Sequence, residues 1–500
     1  MRTQNSIKNI ITTILPFVII GILGFIKVKV FVAFLRDDLY SLNQLFYQIF
    51  SYLSLAEAGF GLFIIQKYYK LLASDDKTEI KNIFANSVAF FRLVGGFIVL
   101  ASVGLSFFVH LLTRAEIGRI YMQSIFLLFI IKNVIDYFMM APRFLISADQ
   151  KMFKINLWIN AFRIIEIITE VALVYLQVDY LIVLIPGIII KILANILINR
   201  IVYNEYDYVR HIKPSLDLSK LKGIGHIFTQ RIVGIFHSNT DIVLISAFIN
   251  PMTVVSYASY TYVTKFIFDI TYMIASAINA SFAHVVNNNK HNTRKVFKDL
   301  ETIFILEASV VFIVLYSFLN EIIRFWVGEK YLISGFSLWL LLLILYLQIV
   351  MRPLYMTVDS EGYFKETKKI LIAEASINFI ISILLINGLG LAGVLVGTFT
   401  SILVTSFWYL PGFIYKKTFN QSAGSFFARI CANLILTIAG AVGFKIIFGP
   451  SSSVKVLMIK FLIVGVLSII YALTVNYKLL NIKSLIDRFK YMIKERHAKK

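Results

Sequence analysis

The chain is 500 residues long, 58% apolar and only 15% charged, with a mean hydropathy of +0.79. A soluble domain carries about a quarter charged residues, so that class is excluded. The formal charge is +21, from 49 basic and 28 acidic residues; in so apolar a chain the excess belongs to loops that fix topology rather than to a nucleic-acid surface. A single cysteine, Cys431, rules out an internal disulfide and any cysteine-rich metal site.

A membrane helix needs about 20 mostly apolar residues. Apolar runs broken by short polar segments predict spans at 7–33, 40–66, 86–111, 120–143, 155–177, 180–200 and 225–249. Further spans follow at 254–286, 300–326, 333–357, 368–387, 389–415, 426–449 and 454–476. The stretch Ile10–Ile26 lacks a small-residue cleavage site and runs on through Lys27 and Lys29, which reads as a first span rather than a signal peptide. Asn387-Gly388-Leu389-Gly390 must serve as a tight turn.

Loop charges test this topology. With the N-terminus inside, the inner segments hold clusters such as Lys67, Lys70, Lys77 and Lys81, then Arg143, Lys151 and Lys154, then Arg200, Arg210, Lys213, Lys220 and Lys222. The outer loops hold only Arg36, Arg114, Arg119, Lys330 and Lys455. That asymmetry predicts an even number of spans with both termini cytoplasmic.

Two segments resemble each other at an offset of 211 residues, Ala141–Lys154 and Arg352–Lys365, aligning Pro142 with Pro353 and Phe153-Lys154 with Phe364-Lys365. The expected fold is therefore all-α and integral to the membrane, with about fourteen transmembrane helices in two parallel six-helix lobes plus two C-terminal helices. Its parts are 1–210, 211–420, the two further helices at 421–476, and a basic tail at 477–500. Leu479, Ile482, Ile486, Phe489 and Ile493 give the tail an amphipathic face for an anionic membrane surface, or it is a solvated tail that fixes topology.

Polar side chains within apolar helices mark where chemistry or pairing must occur, since a charge at the bilayer centre costs about 2.5–3.5 kcal/mol on insertion scales. Four stripes follow helical spacing. Span two has Gln44, Gln48, Ser51, Ser54 and Glu57; span five has Asn156, Asn160, Arg163, Glu166 and Glu170. Span seven has His226, Gln230, His237 and Asp241 with Arg231 beside them; span eight has Lys265, Asp269, Tyr272, Ser276 and Asn279. Such faces either line water or bond helices to one another. Arg163 and Glu374 hold equivalent positions in the two halves, which leaves room for a pair between them. Lys27 and Lys29 either snorkel to an interface or offer cationic charge to a phosphate. No histidine–carboxylate cluster has metal-ligand spacing, and no GxxxxGK[ST], nucleophile-elbow or HExxH segment occurs, so neither a metal, ATP hydrolysis nor an enzyme is expected.

The stretch Leu39–Lys81, with SLAEAGFG at its centre, resembles the second span and following loop of Wzx-type polysaccharide (O-antigen or capsule repeat-unit) flippases. SADQKMF after span four and NTDIVLISAFI (Asn239–Ile249) in span seven are similar to further motifs of that family. The resemblance covers spans one to twelve in layout; lysines replace arginines common in relatives' first span, and Ser41 replaces a glycine. It implies membership of the superfamily that also holds multidrug exporters and the lipid II flippase. Such proteins have two lobes about a cationic cavity and work by alternating access. The implied activity is transfer of an undecaprenyl-pyrophosphate-linked oligosaccharide between leaflets of the bacterial cytoplasmic membrane, for surface polysaccharide synthesis. The implied partners are that lipid-linked cargo, the bilayer and other polysaccharide-assembly proteins, with a monomer as the working unit. Lys27, Lys29, Arg163, Arg231 and Lys265 then supply cationic contacts. Glu57, Glu166, Glu170, Asp241, Asp269 and Glu374 are candidates for coupling to H+ or Na+, with no other cofactor. The rival readings are an exporter of small amphiphiles, a glycan polymerase or ligase, and a non-transporting scaffold; the short outer loops disfavour a polymerase.

Overall fold

The computed structural model describes residues 2–57, 59–217, 240–288, 290–480 and 482–483, and these contain helices and no strand. Helices α1 (Arg2–Phe34), α2 (Asp37–Leu53), α3 (Phe60–Ala73), α4 (Lys77–Ser106), α5 (Arg119–Met139), α6 (Ala141–Ala148), α7 (Phe153–Tyr175) and α8 (Tyr180–Glu205) come first. Helical residues 240–248 follow. Then come α9 (Pro251–Asn288), α10 (Lys290–Trp326), α11 (Gly335–Val350), α12 (Arg352–Glu361), α13 (Phe364–Leu389), α14 (Leu391–Val404), α15 (Ser406–Phe419), α16 (Gly424–Phe448) and α17 (Val454–Val475).

Helix starts are set by local chemistry. Asp76, Asp179, Ser334 and Ser453 each accept a hydrogen bond from a backbone N–H of the first turn that would otherwise lack a partner. Pro142 and Pro353 lie in the first turns of the short helices α6 and α12, where a missing N–H costs nothing. These two helices hold corresponding places: each follows a longer helix, α5 or α11, and precedes another, α7 or α13. The 211-residue repeat thus has a structural counterpart in a helix re-started at proline.

Ten segments among the described residues are long and apolar enough to cross a membrane. The expected spans two, five, seven and eight are not among them. Those four carry the polar stripes, and most of span seven lies outside the described residues. Span two is also broken. After α2 a 3-10 turn, Ser54–Glu57, interrupts the helix, and Gly59 takes φ +84° before α3 begins at Phe60. Phe60 is buried and stacks on Phe90 at 3.7 Å between ring centres. A Cβ on Gly61 would stand 2.5 Å from Phe144 Cε1 of α6. SLAEAGFG is therefore a helix break whose glycines allow a turn and a close approach.

The chain packs as two compact units, 1–255 and 256–500. This packing boundary falls inside α9, whereas the boundary expected at 210/211 is one of sequence repetition. In the first unit α1 packs along α7, and α5 and α7 both pack on α8. In the second, α10 is the centre, flanked by α11, α16 and α17, while α13 and α14 form the tightest hairpin. The C-terminal helices expected as a separate part at 421–476 thus share a core with α10. Gly390 turns the α13–α14 hairpin at φ +55°, in the turn expected there. Beyond it the helices touch backbone to backbone, because a Cβ on Gly393 would lie 2.5 Å from the Leu385 carbonyl oxygen. Gly393→Val is expected to cost about 1–3 kcal/mol by overpacking, read as a lowered melting temperature of the purified protein. An unchanged melt would show that the helices separate freely.

Candidate functional site

The first unit buries a four-membered charge cluster drawn from three helices. Glu170 of α7 accepts from Lys27 Nζ of α1 at 2.5 Å through Oε2 and from Lys132 Nζ of α5 at 2.5 Å through Oε1. Lys132 also pairs with Glu166 Oε1, one turn away on α7, at 2.9 Å. Gly187 of α8 makes room for it, since a Cβ there would meet Lys132 Cδ at 2.8 Å and Glu166 Oε1 at 3.5 Å. Two ammonium and two carboxylate groups sum to zero, so each charge is neutralised inside the bundle. The cluster has a closed floor and an open edge: the side chains of Lys132 and Glu170 are 3% and 4% exposed, those of Lys27 and Glu166 21% and 15%. Lys27 also lies 5.0 Å from the Phe31 ring centre.

The sequence-derived candidates divide accordingly. Lys27, Glu166 and Glu170 are brought together, joined by Lys132, which the sequence reading missed. The signal available was Lys132 with Asp136 four positions on and Asn133 beside it, a short polar stripe at the end of an apolar run. Lys29 and Arg163 are exposed and stand apart from the cluster. Arg231, with His226, Gln230 and His237, lies outside the described residues, as does the tail beyond 483. Asp241 is half-buried and acts electrostatically on Tyr52, whose hydroxyl lies 3.1 Å from Thr240 Oγ1. Glu57 occupies the 3-10 turn of span two, beside the Tyr137 phenol.

A second polar group in this unit is centred on Asp136. Its Oδ1 accepts from Asn195 Nδ2 at 2.9 Å and from Arg143 Nη2 at 3.3 Å, and Arg143 also donates to Asn195 Oδ1 at 2.7 Å. Arg143, assigned to a loop by its charge, therefore belongs to α6 and ties it to α5 and α8. A third group lies at the ends of these helices. Lys151 pairs with Asp149 at 2.7 Å and Glu205 at 2.8 Å, Lys154 pairs with Glu205, and Tyr206 donates to Asp149 at 2.6 Å. Partial burial works against the Lys151 ammonium, but the two carboxylates outweigh it and its pKa is raised.

The second unit differs. At the repeat offset Lys132, Glu166 and Glu170 correspond to Leu343, Ile377 and Ile381, so the charge cluster has no counterpart. The α13–α14 hairpin instead carries a mostly neutral seam: Ser382 donates to Asn378 Oδ1 at 3.0 Å, Thr398 to the same oxygen at 3.3 Å, and Thr405 to buried Glu374 at 2.9 Å. Of the span-eight stripe, Lys265, Tyr272 and Ser276 are exposed and Asp269 and Asn279 half-buried, while Thr271, Ala275 and Phe282 of the same helix are buried. The stripe is a face that its own unit covers only in part, with Ser360 donating to Asn279 Oδ1 at 3.2 Å. Arg352 lies 4.4 Å from the Tyr272 ring centre along it. Among the described residues no group of three or more histidine, cysteine or carboxylate side chains is placed to hold a metal ion.

This fold is shared with solved transporters. Lipid II flippase MurJ, in an inward closed conformation, superposes with a TM-score of 0.69 at 16% identity, over 95% of this chain and 99% of that one. An inward-facing multidrug resistance MATE family transporter of the MOP superfamily gives 0.61 at 13% identity, over 78% of this chain and 93% of the other. The Vibrio cholerae MATE transporter VcmN gives 0.54 at 12%, over 84% and 99%. No family model matches the sequence. No curated protein matches it either.

Proposed function

We propose that the chain is a fourteen-span flippase of the bacterial cytoplasmic membrane, with both termini inside, moving a polyprenyl-pyrophosphate-linked oligosaccharide by alternating access. The observation that carries this reading is the fold shared end to end with a lipid II flippase, over 95% of this chain against 78% and 84% for the two MATE transporters. The specific cargo, a surface-polysaccharide repeat unit, rests on the resemblance of SLAEAGFG, SADQKMF and NTDIVLISAFI to Wzx-type proteins.

The charge cluster suggests how cargo and ion are coupled. With all four groups ionised the cluster is neutral and offers nothing to an anion. A monovalent cation held between Glu166 and Glu170 leaves the cluster with a net positive charge, which offsets part of the roughly two negative charges of a pyrophosphate diester. The cargo reaches Lys27 first, at the open edge. Arg163 and Lys265 add cationic charge on the exposed faces, while Asp241, Asp269, Glu57 and Glu374 are further coupling candidates. In a deletion strain, lipid-linked oligosaccharide is expected to accumulate on the cytoplasmic leaflet. Loss of the oligosaccharide before that stage would sink the reading.

A further inference from the structure

We propose that the first unit carries a binding site for the phosphate of an anionic phospholipid, separate from the charge cluster and independent of what the protein transports. A cavity of about 390 Å³ is walled by α4, α5, α6 and α8 and the segment after them. Its polar lining includes Arg92, Arg200 and Arg210, with Asn199 and Tyr203, and no carboxylate. Three arginines on one small cavity repel each other unless an anion joins them. Arg210 pairs with Asp207 at 3.9 Å, itself exposed, while among the described residues no salt bridge reaches Arg92 or Arg200. Arg92, exposed like Arg200 and Arg210, lies six residues inside the span expected at 86–111, where a charge calls for an anion or a polar interface. It is close enough to act electrostatically on Tyr203. Asn199 is 8% exposed and its Oδ1 has no hydrogen-bond partner, so a donor is called for at the cavity wall.

The remaining lining identifies the anion's chemistry. Phe138 and Ile196 line the cavity and are 41% and 53% exposed, and Leu93 and Leu193 beside it are 58% and 52% exposed. An anion that reaches the arginines here sits against an apolar outer surface, which suits acyl chains. Arginines fork onto phosphate oxygens in pairs. A headgroup that combines phosphate with hydroxyls also supplies the donor that Asn199 Oδ1 lacks, and phosphatidylglycerol has that composition. Basic pockets between membrane helices take such headgroups.

The test is native mass spectrometry of the full-length protein released from vesicles of equal phosphatidylglycerol and phosphatidylcholine. The wild type is expected to retain phosphatidylglycerol preferentially, and Arg92→Gln and Arg200→Gln each to cut that preference about fivefold. Arg200→Lys, which keeps the charge, is expected to keep most of it. Melting in phosphatidylcholine alone shows whether each variant is folded; Arg210→Gln, altered outside the helices, substitutes for any that is not. Folded glutamine variants with the wild-type preference would overturn the proposal. So would inorganic phosphate that displaces the lipid, which would assign the arginines to a soluble phosphate.

Discussion

Glu170→Ala is expected to lower the stability of the purified protein by about 3–5 kcal/mol, the usual cost of leaving a buried charge without its partner. Glu170 bonds both Lys27 and Lys132, and with its side chain gone Glu166 alone faces two ammonium groups. Lys132→Met leaves the opposite imbalance, two carboxylates against Lys27, and is expected to cost a similar amount. Changing Lys132 and Glu170 together, to Met and Leu, restores neutrality through Lys27 and Glu166. The double variant is expected to be more stable than either single one, since buried ion pairs replaced by apolar groups often cost little. Additive melting losses in the double variant would show that the cluster is not an energetic unit.

Arg429→Met is expected to have an effect of the same size in the second unit. Glu301 of α10 is fully buried, accepting from Arg429 Nη2 of α16 at 2.7 Å and from the Tyr415 hydroxyl of α15 at 2.6 Å. Without the guanidinium the carboxylate keeps only a neutral donor, and a loss of about 3–5 kcal/mol follows. Glu301→Gln in that background removes the stranded charge and is expected to recover most of the loss. The same helices meet nearby at Asn433, which bonds Ser309, Tyr346 and Asn476. If Arg429→Met melts like the wild type, the α10–α16 contact is held by packing and these amides rather than by the ion pair.

What the sequence made legible follows from what periodicity can report. Apolar runs located the helices to within a few residues at many ends, because hydrocarbon thickness fixes their length. The offset between Pro142 and Pro353 marked two re-started helices, because proline at a first turn is a local signal. Polar stripes gave faces but not partners. Lys27 and Glu170 are 143 positions apart, and no spacing rule links them; only the packing of α1 on α7 does. Lys132 pairs with Glu166 and Glu170 on another helix, which no spacing along its own helix discloses, and Glu301 lay at the edge of an apolar span whose partner, Arg429, reads as a loop charge. SLAEAGFG carried the family resemblance without disclosing that it breaks a helix, since a helix interrupted within the membrane keeps the same apolar composition on both sides.

The central claim is that the cargo is a pyrophosphate-linked lipid. Proteoliposomes with a fluorescent undecaprenyl-pyrophosphate oligosaccharide in the outer leaflet test it most directly, with quenching from outside as the readout. Protein-dependent protection of the label, slowed by Lys27→Gln, is the predicted result. Protection no faster than in empty vesicles, together with extrusion of a cationic dye by the same preparation, would contradict it and assign the fold to small-amphiphile export.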